Sequence, residues 1–432
     1  MKNILILLSL MALCLSPAEA QTPSQKKSAL LAEADPGSQG MSAERLARID
    51  NMCRQAVEQG NLPGIVSLVA RNGKIVQWKA YGMADNPSGR KMKRDDIFRI
   101  ASQSKAITAT AVMMLWEEGA FQLDDPISKF IPEFKNPQVL STFRYSDTTW
   151  TGIPASGEIT IRHLLSHTSG IGYGMIDGDE RIKMIYQKAG VTDLFTTEKI
   201  TIGESVKKLA VLPLHHNPGA DFTYSEGLDV MGYLIEVVSG MPFDEFLRTH
   251  IFDPLGMDDT RFYFPANKAG RVVTVQRQLN GKWEKYPVTF YDTDYPVKGA
   301  KTFFSGGAGL SSTAKDYATF LQMYLNKGEY NGIRLLSRTT VDVILSNQIG
   351  NIWGDDSDTK YGLAFGLLTE EGQASGGLGS TGTFNWGGYF NSQYFADPQE
   401  QIIGIILKQT QGPVHDDTGW KFRQLVFQAL DD

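Results

Sequence analysis

The stretch "AITATAVMMLW", Ala106 to Trp116, is apolar on every side of a helix and carries no charge. A helix that is hydrophobic all round belongs inside a domain, not on its surface. The fold must therefore enclose it. With 432 residues, 42% hydrophobic and 21% charged, the chain is long enough to do so as one large domain or two closely joined ones. Immediately before this run, "ASQSK" brings Ser102 and then Lys105. A lysine at the head of such a helix has no polar face to occupy.

The flanking segments predict the fold class. Two apolar runs, "GIVSLVA" and "KIVQWKAYG", stand on either side of Asn72-Gly73, a strong hairpin signal. Strands return late, in "GLAFGLLTE", "FNWGGYFNSQYFADP" and "QIIGIILKQT", before a last helix, "WKFRQLVFQAL". Between Phe121 and about Ala300 lie helical pieces such as "LDVMGYLIEVVSG" and aromatic-rich loops. The expectation is α+β: an antiparallel sheet built from both ends of the chain, flanked by helices, with a mostly helical lobe inserted. The domain is expected over 41–430, with an α/β lobe at about 41–100 plus 300–430 and the helical lobe at about 101–299. Residues 21–40, polar with Pro, Gly and Ser, read as a flexible lead.

"MKNILILLSLMALCLSPAEA" has the charged start, apolar middle and small-x-small end of a signal peptide over residues 1–20. Its apolar run is shorter than the roughly 20 residues a membrane span needs. The expectation is an exported protein, periplasmic or secreted, with no stable membrane insertion after cleavage. Only Cys53 then remains, which excludes an internal disulfide, two-cysteine redox chemistry and thiolate zinc sites. Cys53 recurs at helical spacing with Leu46, Ile49, Met52 and Val57, and reads as core. A net charge of −6 without a basic run argues against nucleic acid as a partner. "HLLSH" lacks the glutamate of H-E-x-x-H, so His163 and His167 read as structural and no metal is expected. "SGGAGL" and "ASGGLGSTG" lack the phosphate-loop lysine and the dinucleotide pattern, and G-x-S-x-G is absent. No cofactor is expected.

Ser102 and Lys105, three apart, share a helix face and are close enough to meet. Stripped of hydration, an amine is less able to keep its charge, and can take the proton of a serine hydroxyl to make a nucleophile. Free N–H groups at the helix start favour an oxyanion there. S-x-x-K is also the nucleophile signature of β-lactamases and penicillin-binding proteins. Together with "ITIRHLLSHTSGI", "PGADFTYSEGLDVMGYLIEVVSG", "IFDPLGMDDTRF" and "FFSGGAGLSSTAKDYATFL", the chain resembles class C β-lactamase-like serine hydrolases from about 45 to 425.

The resemblance implies roles. Tyr224-Ser225-Glu226 stands where that family has Y-x-N, so Tyr224 is expected beside the lysine, sharing a proton network with the serine. Glu226 takes the substrate-binding asparagine's place, and a carboxylate only accepts hydrogen bonds. "YSEGLDVMG" and "FNWGGYF" are similar to family VIII carboxylesterases, with Trp386-Gly387-Gly388 replacing K-T-G as the substrate-binding strand. The N–H groups of Ser102 and Tyr389 are the implied oxyanion hole. The expected activity is hydrolysis of short-chain carboxylic esters through an acyl-enzyme, with side activity on β-lactams; the partner is thus a small ester or β-lactam. Two rivals stand beside it. A class C-like β-lactamase or D-amino-acid peptidase is disfavoured by Glu226 and Trp386. A penicillin-binding-like sensor that acylates without turnover is disfavoured by Tyr224.

Overall fold

In the computed structural model, which describes residues 22–412 and 416–432, Asn72 and Gly73 both take positive φ, 51° and 73°. Such backbone closes a tight hairpin. The hairpin joins two members of a nine-stranded sheet. Its strands are β1 (Ala32–Glu33), β2 (Gly64–Arg71), β3 (Lys74–Asp85), β4 (Arg90–Lys91), β5 (Thr359–Tyr361), β6 (Gly366–Leu368), β7 (Phe384–Gly388), β8 (Ser392–Asp397) and β9 (Ile402–Leu407). The order is β5-β6-β7-β8-β9-β2-β3-β1, with β4 also paired to β3. Every pairing is antiparallel except β1 with β3. The sheet is closed at its centre by β9 against β2, Ile405 opposite Leu68, which ties the two ends of the chain together.

Strand side chains alternate between faces. Ile65 and Val69 of β2, with Ile402 and Ile406 of β9, pack under α1 (Ala43–Glu58) and a C-terminal helix (Thr418–Phe427). Cys53 lies fully buried in this layer. Val66, Leu68 and Ile405 face the opposite way, into the large core that holds Tyr317, Phe320 and Tyr324. Those residues belong to the helix Ala314–Leu325. Beyond it runs α2 (Ser104–Glu117), whose residues from Ser104 through Leu115 are all buried. The helix Gly227–Ser239 packs along it. The helix with no polar face is thus enclosed, as its composition requires. The middle of the chain also carries two hairpins, Gln138–Arg144 with Thr149–Pro154 and Gln276–Leu279 with Lys282–Lys285.

The expected flexible lead is corrected by its contacts. Thr22–Pro23 pairs with Ile333–Arg334, and β1 adds to the edge of β3. Leu31 is buried, and its N–H donates to Tyr330 Oη at 2.9 Å. The partners of Thr22–Pro23 and of Leu31 lie some 300 residues along the chain and that of β1 about 40, so local composition could not reveal them. The signal peptide expected over 1–20 lies outside the described residues. No described helix is long and apolar enough to cross a membrane.

Candidate active site

The nucleophile turn, Ala101–Gln103, is a single tight turn that runs straight into α2. Ala101 takes left-handed backbone, φ 44°, immediately before Ser102. A residue with a Cβ resists that conformation, so surrounding contacts must impose it. Tyr317 Oη donates to the Gln103 carbonyl at 3.0 Å, and the Leu310 N–H donates to Ser104 Oγ at 3.1 Å. Phe98–Arg99, just upstream, pairs with Ser311–Ser312.

Lys105 follows with no exposed surface. Its Nζ donates to Ser102 Oγ at 3.3 Å, to Tyr173 Oη at 3.0 Å and to the Gly307 carbonyl at 2.8 Å. All three acceptors are uncharged. The ring of Tyr224 adds a π-face with its centroid 4.6 Å from Nζ, and Tyr173 another at 4.9 Å. Gly307 belongs to "SGGAGL", the glycine-rich stretch without a phosphate-loop lysine. Its loop is held by Asp229, whose Oδ1 accepts from Ser305 Oγ at 2.7 Å and from the Gly307 N–H at 2.8 Å. Glycine is needed at 306 because an added Cβ would lie 2.3 Å from the Leu228 carbonyl oxygen.

Tyr173 is the residue that sequence reasoning missed. It sits in "SGIGYG", which follows a recognisable stretch but carries no signature of its own. It stacks on Tyr224, centroids 5.3 Å apart at 22°. Burial, with Tyr224 alongside, pushes its phenol well above the usual tyrosine range. Its N–H donates to Asp177 Oδ2 at 2.7 Å, and that oxygen also meets His215 Nε2 at 3.0 Å. Tyr224 approaches Lys105 with its ring, while its hydroxyl receives Trp386 Nε1 at 3.3 Å. The direct hydroxyl contact to the lysine therefore comes from Tyr173. Behind Tyr224, His167 Nδ1 lies 2.9 Å from Ser225 Oγ. Burial and then the Lys105 charge hold this imidazole well below its usual range, so it is neutral. His163 Nδ1 accepts from the Thr160 N–H at 3.2 Å, capping a helix.

The strand β7 brings Trp386, Gly387 and Gly388 past the nucleophile turn. A Cβ on Gly388 would lie 2.6 Å from the Ile100 carbonyl oxygen, so only glycine allows this approach. Ser102, Tyr224, Trp386, Gly387, Gly388 and Tyr389 all line one cleft of about 590 Å³, which continues to Gln393, Trp420 and Arg423. Glu226 does not join them. It is 2% exposed, and its Oε1 has no hydrogen-bond partner among the described residues. Its N–H donates inward to the Gly172 carbonyl at 3.1 Å. Burial, then the neighbouring Asp193, push its carboxyl well above the usual range. The glutamate expected to bind substrate is instead an interior residue at the head of the helix Gly227–Ser239, where burial favours its acid form. The aromatic hairpin 138–154 also stays away from the cleft, whereas Tyr291 packs against Tyr389 at 6.3 Å.

A buried lysine on a serine, a tyrosine pair around it and a glycine strand alongside form an acyl-transfer constellation. Residues 49–428 match the beta-lactamase family. The chain belongs to the beta-lactamase family. Among its relatives, esterase EstB of Burkholderia gladioli is 29% identical over 408 residues, 88% of this chain and 94% of that one. A putative D-alanyl-D-alanine carboxypeptidase of Escherichia coli K12 is 27% identical over 443 residues, 96% of this chain and 93% of that one. The solved structure of EstCE1, a hydrolase with promiscuous acyltransferase activity, superposes with a TM-score of 0.75 at 26% identity, covering 89% of this chain and 99% of that one. The protein is thus a β-lactamase-like serine hydrolase with esterases among its relatives, and the α+β expectation holds.

Proposed function

We propose that the protein is a serine carboxylesterase that cleaves short-chain esters through an acyl-enzyme on Ser102. The observation that carries this reading is Lys105 Nζ, buried, 3.3 Å from Ser102 Oγ and bonded otherwise to neutral groups alone. Ser102 Oγ attacks the ester carbonyl and its proton passes into the Lys105–tyrosine network. The carbonyl oxygen takes the electron pair, stabilised by the N–H groups of Ser102 and Tyr389. Collapse of the tetrahedral adduct expels the alkoxide, which is protonated through the Lys105–tyrosine network. Water then attacks the acyl group, gives up its proton to the same network, and frees the acid and Ser102.

Trp386 supports esters over carboxylate-bearing peptides. It lines the strand where penicillin-recognising relatives place a lysine, and offers an apolar wall with one N–H already directed at Tyr224. A strained β-lactam amide is open to the same attack, which makes slow cephalosporin cleavage a side activity. Export to the periplasm or medium, proposed from residues 1–20, would place the enzyme among extracytoplasmic esters.

The test is turnover of a 4-nitrophenyl short-chain ester and a chromogenic cephalosporin by the same preparation, beside Ser102→Ala. Ester turnover that dominates and vanishes in Ser102→Ala supports the reading. Cephalosporin turnover far above ester turnover would favour the lactamase reading, and a stable adduct without release would favour the sensor.

A further inference from the structure

The active-site cleft has no carboxylate among its described lining residues, and its one ionic lining side chain is Arg423. Arg423 sits in the middle of the C-terminal helix, three residues after Trp420 and so on the same helical face. Its Nε and Nη2 are buried without a hydrogen-bond partner among the described residues. A guanidinium remains charged in proteins, and buried charges are ordinarily paired. The carboxylate whose charge acts on it is already committed: Asp397 accepts from the N–H groups of Ser380, Gln399 and Glu400, and from Thr383 Oγ1, at 2.7–3.0 Å. The guanidinium carbon instead lies 5.3 Å from the Phe395 ring centroid. Burial lowers this group to about 10, still charged at neutral pH.

Nε and one terminal nitrogen form an edge of the guanidinium that grips a carboxylate through two parallel hydrogen bonds. Both atoms are closed to solvent, so an anion reaches them only where a neighbouring side chain yields. Gln393 and Trp420 line the same cleft and are exposed, the latter by 57%. The geometry points to a second recognition point in the active-site cleft: Arg423 binds a carboxylate carried by the substrate at a distance from the ester that Ser102 attacks. This deepens the esterase reading and rests on it for catalysis. Preferred substrates are then half-esters of dicarboxylic acids, or acetylated alcohols that bear an acid group. The cation lost at the K-T-G position, beside the reacting carbonyl, is replaced by one at the far wall.

Two matched pairs test this. 4-Nitrophenyl hydrogen adipate is compared with 4-nitrophenyl hexanoate, placing the charge on the acyl side. 4-Acetoxybenzoate is compared with phenyl acetate, placing it on the alcohol side. The charged member of at least one pair should have the higher kcat/KM, through KM. That preference ratio should fall by about tenfold or more in Arg423→Gln, the scale of a lost charged hydrogen bond, with part of it restored in Arg423→Lys. Circular dichroism and Tm check that each variant folds. No preference in either pair, or a preference that Arg423→Gln leaves intact, overturns the proposal. Binding of monomethyl and dimethyl adipate to Ser102→Ala by calorimetry separates this question from catalysis. If the wild type cleaves no ester, the esterase reading fails. Tighter binding of the monomethyl ester, lost in Ser102→Ala/Arg423→Gln, would still stand as the anion site, and equal binding would sink it.

Discussion

Lys105 is held by three neutral acceptors, and two of them, the Gly307 carbonyl and the Tyr173 hydroxyl, lie outside the S-x-x-K motif that locates Ser102. Removing that hydroxyl in Tyr173→Phe leaves the ring stack on Tyr224 but frees the lysine to turn away from Ser102. We expect kcat on a short-chain ester to fall roughly tenfold or more with the far-ultraviolet spectrum unchanged. An unaltered kcat would assign the network to Tyr224 alone. A second residue-scale prediction concerns Asp193, beside Glu226. Burial raises its pKa from 3.8 to about 6, so the folded protein prefers its acid form. The stability this contributes is complete below about pH 4 and is lost as pH rises through 6. Asp193→Asn cannot ionise, and its amide oxygen can still accept the Met175 N–H now bonded at 2.8 Å. Its Tm should therefore exceed that of the wild type at pH 8, with the gap narrowing towards pH 4. A gap constant across that range would contradict the assignment.

Among elements, α2 and β7 meet at the nucleophile turn, and their fit depends on Gly388. Gly388→Ala sets a Cβ 2.6 Å from the Ile100 carbonyl oxygen, where the obstruction is backbone and one chain must move. A displacement of about 1 Å at the reacting centre can cost about 100-fold. Assays of kcat/KM should show a loss of that order, and retained activity would mean β7 does not shape the site. At this scale much was legible beforehand. An all-apolar helix headed by Ser102 and Lys105, the Asn72-Gly73 hairpin and the Trp386-Gly387-Gly388 strand are local patterns, and each forms where it was expected. What escaped depends on tertiary placement. The carbonyl of Gly307 meets Lys105 across 202 residues, and Tyr173 reaches it across 68. Glu226 matched a motif position, yet the start of its helix turns it into the interior. Composition made residues 21–40 look free, because their partners on the sheet edge and around Tyr330 are remote in sequence.

At the scale of the whole molecule, two ends of one chain build a single sheet, and the segment between them encloses α2. The nucleophile therefore lies where the two parts meet, with the sheet supplying β7 and the C-terminal helix, and the middle supplying Tyr173 and Tyr224. That arrangement explains how a lysine is kept from water while the serine it serves faces an open cleft. It also makes the central claim simple to test by rapid-quench mass spectrometry of the protein mixed with a 4-nitrophenyl short-chain ester. The account predicts a transient acyl group on the peptide carrying Ser102, longer-lived in Tyr224→Phe and absent in Ser102→Ala. Ester turnover that persists in Ser102→Ala, or an acyl group found on any other residue, would contradict it.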